Sequence, residues 1–103
     1  MRIYIAGPYT NPDPVQNTHN AIKTADALVE AGYDPYVPHL TLLWHMVSPH
    51  PLQFWYDHDM KWLEVCDAVL RLPGKSSGAD AEVARATELG IPIYHNIDDL
   101  PEA

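Results

Sequence analysis

The stretch from Asp67 to His95, DAVLRLPGKSSGADAEVARATELGIPIYH, decides the fold. It opens on an apolar, β-favouring run, DAVLRLP, and turns at Pro73-Gly74. A helical pattern then runs from Gly78 to Leu89, stops at Gly90 and gives way to a second apolar run, IPIYH. Strand, helix and strand in so short a length make a βαβ unit, whose strands lie parallel.

Working outward, the pattern recurs. RIYIA (Arg2 to Ala6) is a strand closed by Gly7-Pro8, and VQNTHNAIKTADALVEAG is an amphipathic helix with Ala21, Ile22, Ala25, Leu28 and Val29 at helical spacing and Gly32 as its stop. DPYVP is a second short strand. HLTLLWHMVSPHP (His39 to Pro51) reads as a loop or partly helical lid, and QFWYDHDMKWLEVC is helical by period. The order βαβ(loop)αβαβ predicts an α/β fold: one domain over residues 1–103, with a doubly wound, flavodoxin/Rossmann-like parallel sheet of four to five strands and helices on both faces. In a 2-1-3-4 sheet the strand order reverses between the first and third strands, and ligands bind at the carboxyl ends there. That rule selects two loops, GPYTNPDP and PGKSSGAD, which are expected to face each other.

Two carboxylates break the apolar pattern. Placing residues at 100° intervals around the last helix puts Ala79, Val83, Ala86 and Leu89 on one side, and Glu82 falls inside that stripe. On Gln53 to Cys66 the apolar group is Trp55, Tyr56, Met60, Trp62, Leu63 and Cys66, and Asp59 falls inside it. Burying an ionised carboxylate without partners is costly enough that the group neutralises or finds hydrogen bonds. The plain alternative for Glu82 is a solvated residue near a helix N-terminus, paired with Arg85 three positions on. In the loop before it, Ser77-Gly78-Ala79-Asp80 has the capping-box pattern, with Ser77 as N-cap. Lys75, Ser76 and Gly78 at a helix start also suit a phosphate. Tyr4, just before Gly7, either packs in the sheet or turns its hydroxyl to the crevice.

Composition narrows the partners. Six Lys plus Arg against fourteen Asp plus Glu give a net charge of -8, which repels a phosphate backbone or an anionic membrane. A small anionic ligand held by local N–H groups is still compatible with that charge. The single cysteine, Cys66, has no partner for a disulfide, and no targeting or membrane-spanning run is evident, so a cytoplasmic setting is expected.

The segments IYIAGPYT, DMKWLEVCDAVLRLPG and SSGADAEVARATELGIPIY resemble the nucleoside 2-deoxyribosyltransferase superfamily, which includes 2'-deoxynucleoside 5'-monophosphate N-glycosidases. The likeness runs from Ile3 to Tyr94. It implies Glu82 as nucleophile, Asp59 as the acidic group near the base, and Tyr4 as the partner that orients the nucleophile. It further implies Ser76 as a contact to a 5'-phosphate, with Gly7, Pro8, Ser77 and Gly78 around the substrate. The implied activity is cleavage of an N-glycosidic bond without a cofactor or metal, on a small nucleoside or nucleotide, in a homo-oligomer.

Other readings stay open. One is a transferase acting on free nucleosides, and another is a non-catalytic nucleotide-binding module. A third is a metal site from His39, His45, His50 and His58, whose spacings of six, five and eight fit no standard zinc pattern. Trp44, His45, Phe54 or Trp55 could stack on a base, fill a core or line a subunit interface. Asn96 and the C-terminal tail could complete a neighbouring site.

Overall fold

The computed structural model describes all residues from 1 to 103. Its elements are β1 (Arg2–Ala6), α1 (Pro14–Glu30), β2 (Asp34–Tyr36), a 3-10 turn (Pro38–Leu40), α2 (Thr41–Val47), α3 (Leu52–Leu63), β3 (Ala68–Arg71), α4 (Ser77–Glu88), β4 (Ile93–Tyr94) and a last 3-10 turn (Ile97–Asp99). The four strands are ordered β2-β1-β3-β4 and every pair is parallel, as expected for a doubly wound α/β sheet. No helix is long and apolar enough to cross a membrane.

Side chains alternate across a strand, and that alternation divides the core. Ile3, Ile5, Ala68 and Leu70 point to one face, where they pack with Ala21 and Leu28 of α1 and with Tyr33 and Leu100. Tyr4, Ala6 and Val69 point to the other, against Met60, Leu63 and Cys66 on one side and Ala79 and Ala86 of α4 on the other. Each fully buried Ile or Leu contributes about 1.5–3 kcal/mol. The aliphatic face beneath α1 therefore supplies much of the stability, and the face beneath α3 and α4 carries the polar exceptions.

Local signals account for the helix starts. The Asp13 side chain accepts the Val15 N–H at 3.1 Å with Pro14 in the first turn of α1, and α4 is capped by Ser76, whose Oγ accepts the Ala79 N–H at 3.1 Å. This corrects the capping box placed on Ser77. Asp80 does not return to the cap but pairs with Arg71 at 3.1 Å, so the extended residue before it, Ser76, takes the cap. Other departures are local. The segment after His39 is a 3-10 turn and a short helix, ended by the Ser48-Pro49 region. β4 is confined to two residues, since Pro92 has no N–H and offers only its carbonyl, which accepts from Val69 at 2.9 Å. Ile22, Val29, Tyr56, Trp62 and Leu89, all assigned to apolar faces by period, are exposed. A four-stranded sheet covers only the central stripe of each helix, and the flanking apolar positions lie beyond it.

Candidate active site

The site is built where β1 and β3 lie side by side and their chains leave in different directions. The Leu72 N–H donates to the Ala6 carbonyl at 2.8 Å, which carries Leu72 over Gly7. A Cβ on Gly7 would stand 3.0 Å from the Leu72 Cβ. Gly74 has φ +115°, and a Cβ there would stand 2.8 Å from the Pro8 Cγ. The two loops selected by the switch-point rule thus touch, through Gly7 with Leu72 and Pro8 with Gly74.

Tyr4 is fully buried and its hydroxyl donates to Oε2 of Glu82, which projects from the second turn of α4. Arg85, the ion-pair partner that the plain reading gave to Glu82, instead pairs with Glu88 at 3.1 Å and Glu64 at 3.6 Å. Burial pushes the Glu82 carboxyl up from an ordinary 4.5 to about 7; the Tyr4 hydroxyl and the Arg71 charge oppose the rise and the Asp59 charge adds to it. The Tyr4 hydroxyl is itself held well above its ordinary range by burial and then by the charge of Glu82.

Asp59 has a matching arrangement. Tyr36, at the end of β2, donates its hydroxyl to Asp59 Oδ1 at 3.0 Å. Burial pushes Asp59 up from 3.8 to about 6 against that hydrogen bond. Tyr36 sits in register with Tyr4 across the sheet, and their rings stack with centroids 5.5 Å apart. The result is two phenol-held carboxylates side by side under α3 and α4.

Arg71, at the end of β3, braces the loop that leads to α4. It donates to the carbonyls of Leu72 and Gly74 and to Asp80, which ties PGKSSGAD to the helix it precedes. A cavity of about 800 Å³ opens above the carboxyl ends, lined by Gly7, Tyr9, His39, Asp59 and Gly78 among others. Its far wall is an aromatic cluster from α2 and α3. Trp55 lies at the centre, 5.1 Å from Trp44 and 4.9 Å from Phe54, and His50 stacks on Phe54 at 3.9 Å. His45 Nδ1 accepts from Trp55 Nε1 at 2.8 Å and from the His50 N–H at 3.2 Å, so its proton is on Nε2. His39 is buried, with Nε2–H donating to the Pro8 carbonyl at 2.9 Å, and its Nδ1 has no partner. Burial holds its pKa below the ordinary value. No group of three or more His, Cys, Asp or Glu side chains converges in a metal-binding arrangement.

A family model described as a domain of unknown function, DUF7768, matches residues 1–96. The chain belongs to the DUF7768 family. Among curated proteins none matches it. Among solved structures, a 2-deoxyribosyltransferase from the psychrotolerant bacterium Bacillus psychrosaccharolyticus, described as a biocatalyst for the synthesis of antiviral and antitumoral nucleosides, aligns with a TM-score of 0.70 at 18% identity. The alignment covers 94% of this chain and 76% of that one, and it shows a common fold.

In this DUF7768 domain the residues singled out by sequence fall into two groups. Tyr4, Asp59 and Glu82 come together beneath the switch point, and Gly7, Asp59 and Gly78 line the cavity. Ser76 and Ser77 sit at the start of α4 outside that lining, and Pro8 forms part of a second, smaller hollow beside α1. Three residues were not anticipated. Arg71 and Tyr36 carry no local signal, and the sequence offers His39 only as a metal ligand, although a His between prolines after a strand is a recognisable loop residue.

Proposed function

We propose that this DUF7768 domain cleaves the N-glycosidic bond of a (2'-deoxy)nucleoside 5'-monophosphate, with Glu82 as nucleophile, Asp59 handling the proton of the leaving base and Tyr4 orienting Glu82. The observation that carries the proposal is the pair of partly buried, phenol-held carboxylates at the topological switch point, one of them lining the cavity. The common fold with an enzyme named for 2-deoxyribosyl transfer supports it.

The chemistry follows from the arrangement. Tyr4 holds Oε2, so Oε1 of Glu82 is the atom that closes on C1' as the bond to the base breaks. The bonding pair leaves with the base nitrogen, which takes the proton of Asp59. Water then attacks C1', gives its proton back to Asp59 and releases the Glu82 carboxylate. With Asp59 at about 6 and Glu82 at about 7, the pair passes near neutrality through a singly protonated state that holds its proton mainly on Glu82, and the cycle runs through the minor form of that state, with the proton on Asp59 and Glu82 ionised.

The N-terminus of α4 supports the preference for a monophosphate. The first intrahelical bond is Asp80 N–H to the Ser76 carbonyl at 3.0 Å, which leaves the N–H groups of Ser77 and Gly78 for an anion, and a Cβ on Gly78 would meet nothing closer than Ser76 Oγ at 3.9 Å. The solved neighbour favours a second reading, transfer between free nucleosides, in which a second base replaces water. The exposed apolar residues Leu43, Met46, Val47 and Leu52 on α2 and α3 support a homo-oligomer, and the unpaired, buried Cys66 suits a reducing cytoplasmic setting.

The test is chromatography of free base released from ribo and deoxy nucleosides and their 5'-monophosphates, with Glu82→Ala beside the unmodified protein. Release from monophosphates that the substitution abolishes is expected. Release only when a second base is supplied makes the protein a transferase, and no release with any substrate overturns the enzymatic reading.

A further inference from the structure

Tyr36 belongs to no feature that marked the site in sequence, yet two ring stacks and a hydrogen bond fix its side chain. It ends the three-residue strand β2, and the parallel register opposite Tyr4 puts both rings on the α3/α4 face. There its ring is held between two others. Tyr4 stacks on it with centroids 5.5 Å apart and planes 26° apart, and Trp62 stacks on it at 5.7 Å and 16°. The stack also accounts for Trp62, which is half-exposed on α3 but lies over the tyrosine. A ring held in this way has one direction for its hydroxyl, which meets Asp59 Oδ1 at 3.0 Å. The second oxygen of Asp59 has no partner in the protein and is not sealed off, and Asp59 lines the cavity.

We infer that Tyr36 is the positioning residue for Asp59: the Tyr4–Tyr36–Trp62 stack aims its hydroxyl at one carboxylate oxygen and so leaves the other for the ligand. The catalytic consequence rests on the glycosidic-bond reading; the positioning itself does not. A phenol that donates to a carboxylate favours the ionised form, against the burial that favours the protonated one. The other titratable groups facing the pair are Tyr4 from β1, Glu82 from α4 and Cys66 after α3. Of these only Glu82 ionises in the range where Asp59 does, so two carboxyl titrations describe the site.

The experiment is Tyr36→Phe, which keeps the ring stack and removes only the hydroxyl, followed by carbon NMR titration of the Asp59 and Glu82 carboxyl groups. The Asp59 midpoint is expected to rise by roughly one pH unit, as loss of a hydrogen bond to a charged group requires, while Glu82 moves less. Trp62→Ala, a change at a half-exposed position, loosens the stack and is expected to move Asp59 the same way by a smaller amount. If base release is observed, Tyr36→Phe lowers kcat more than it changes KM, and its pH profile shifts with Asp59. An Asp59 midpoint unchanged in both variants overturns the inference. A shifted midpoint in a protein that releases no base keeps the positioning role and removes the reaction.

Discussion

Replacing Glu82 by Gln is expected to make the protein more stable above neutral pH and to matter much less in mild acid. In the folded chain the carboxyl titrates at about 7, against 4.5 ordinarily, with burial as the main cause. A group whose folded pKa is raised binds more protons in the folded state. Its protonated form is therefore the stable one, and stability is lost as pH rises from the unfolded pKa through the folded pKa. At ~1.36 kcal/mol per pH unit the full penalty is about 3 kcal/mol, of which roughly 2 kcal/mol falls between pH 5 and pH 8. A glutamine side chain keeps an oxygen for the Tyr4 hydroxyl and never carries the charge. Urea unfolding at the two pH values measures the difference. With a slope of about 2 kcal/mol per molar, the midpoint of the variant should gain roughly 1 M on the unmodified protein as pH is raised. A gap between the two proteins that stays constant with pH would refute the assignment of a buried, raised carboxyl to Glu82.

Base release, if measured against pH, should follow a bell with its maximum between about 6 and about 7, since the cycle needs one proton on the Asp59–Glu82 pair; Tyr4→Phe should move the Glu82 limb upward, because the lost hydrogen bond had favoured the carboxylate. Gly74→Ala should destabilise by about 1–3 kcal/mol in thermal or urea unfolding, since φ is +115° and Pro8 stands in the way. Gly78→Ala, in open space within α4, should instead stabilise by about 0.5–1 kcal/mol while weakening any nucleotide bound at the helix start, as calorimetric titration would show. Cys66, with its thiol pushed up to about 11 by burial, should react with a disulfide reagent at mildly alkaline pH roughly 100-fold more slowly than a free cysteine.

How much of this could be read from sequence depends on how local each signal is. The strands and helices of Asp67 to His95 are visible because periods of 2 and 3.6 are written in neighbouring residues, and the strand order then follows from general rules of connection. Glu82 and Asp59 stand out because each interrupts an apolar stripe. Tyr36 does not, since within DPYVP it is an ordinary strand residue, and its place in the site arises only when β2 pairs with β1 and brings it beside Tyr4. The cap illustrates a different limit. Two adjacent serines satisfy the same pattern, and the choice of Ser76 goes with an ion pair between Asp80 and Arg71, which comes from another element. Exposed positions such as Leu89 and Val29 follow from the width of the sheet, which no single helix records.

The odd and even residues of β1 face opposite sides of the sheet, and this makes the strand a place where durability can be edited apart from the chemistry. Ile3 and Ile5 meet only the α1 side, whereas Tyr4 meets only the α3/α4 side. Random variation at positions 3 and 5 should sort variants by expression and melting behaviour without reshaping the polar pair behind them. Variation at position 4 should disturb the polar pair and stability together, since Tyr4 is itself fully buried. Insertion of a single residue into this strand exchanges the two sides at once, so in any protein built on this frame the spacing between the first strand and Gly7 is less free to drift than the residues that fill it.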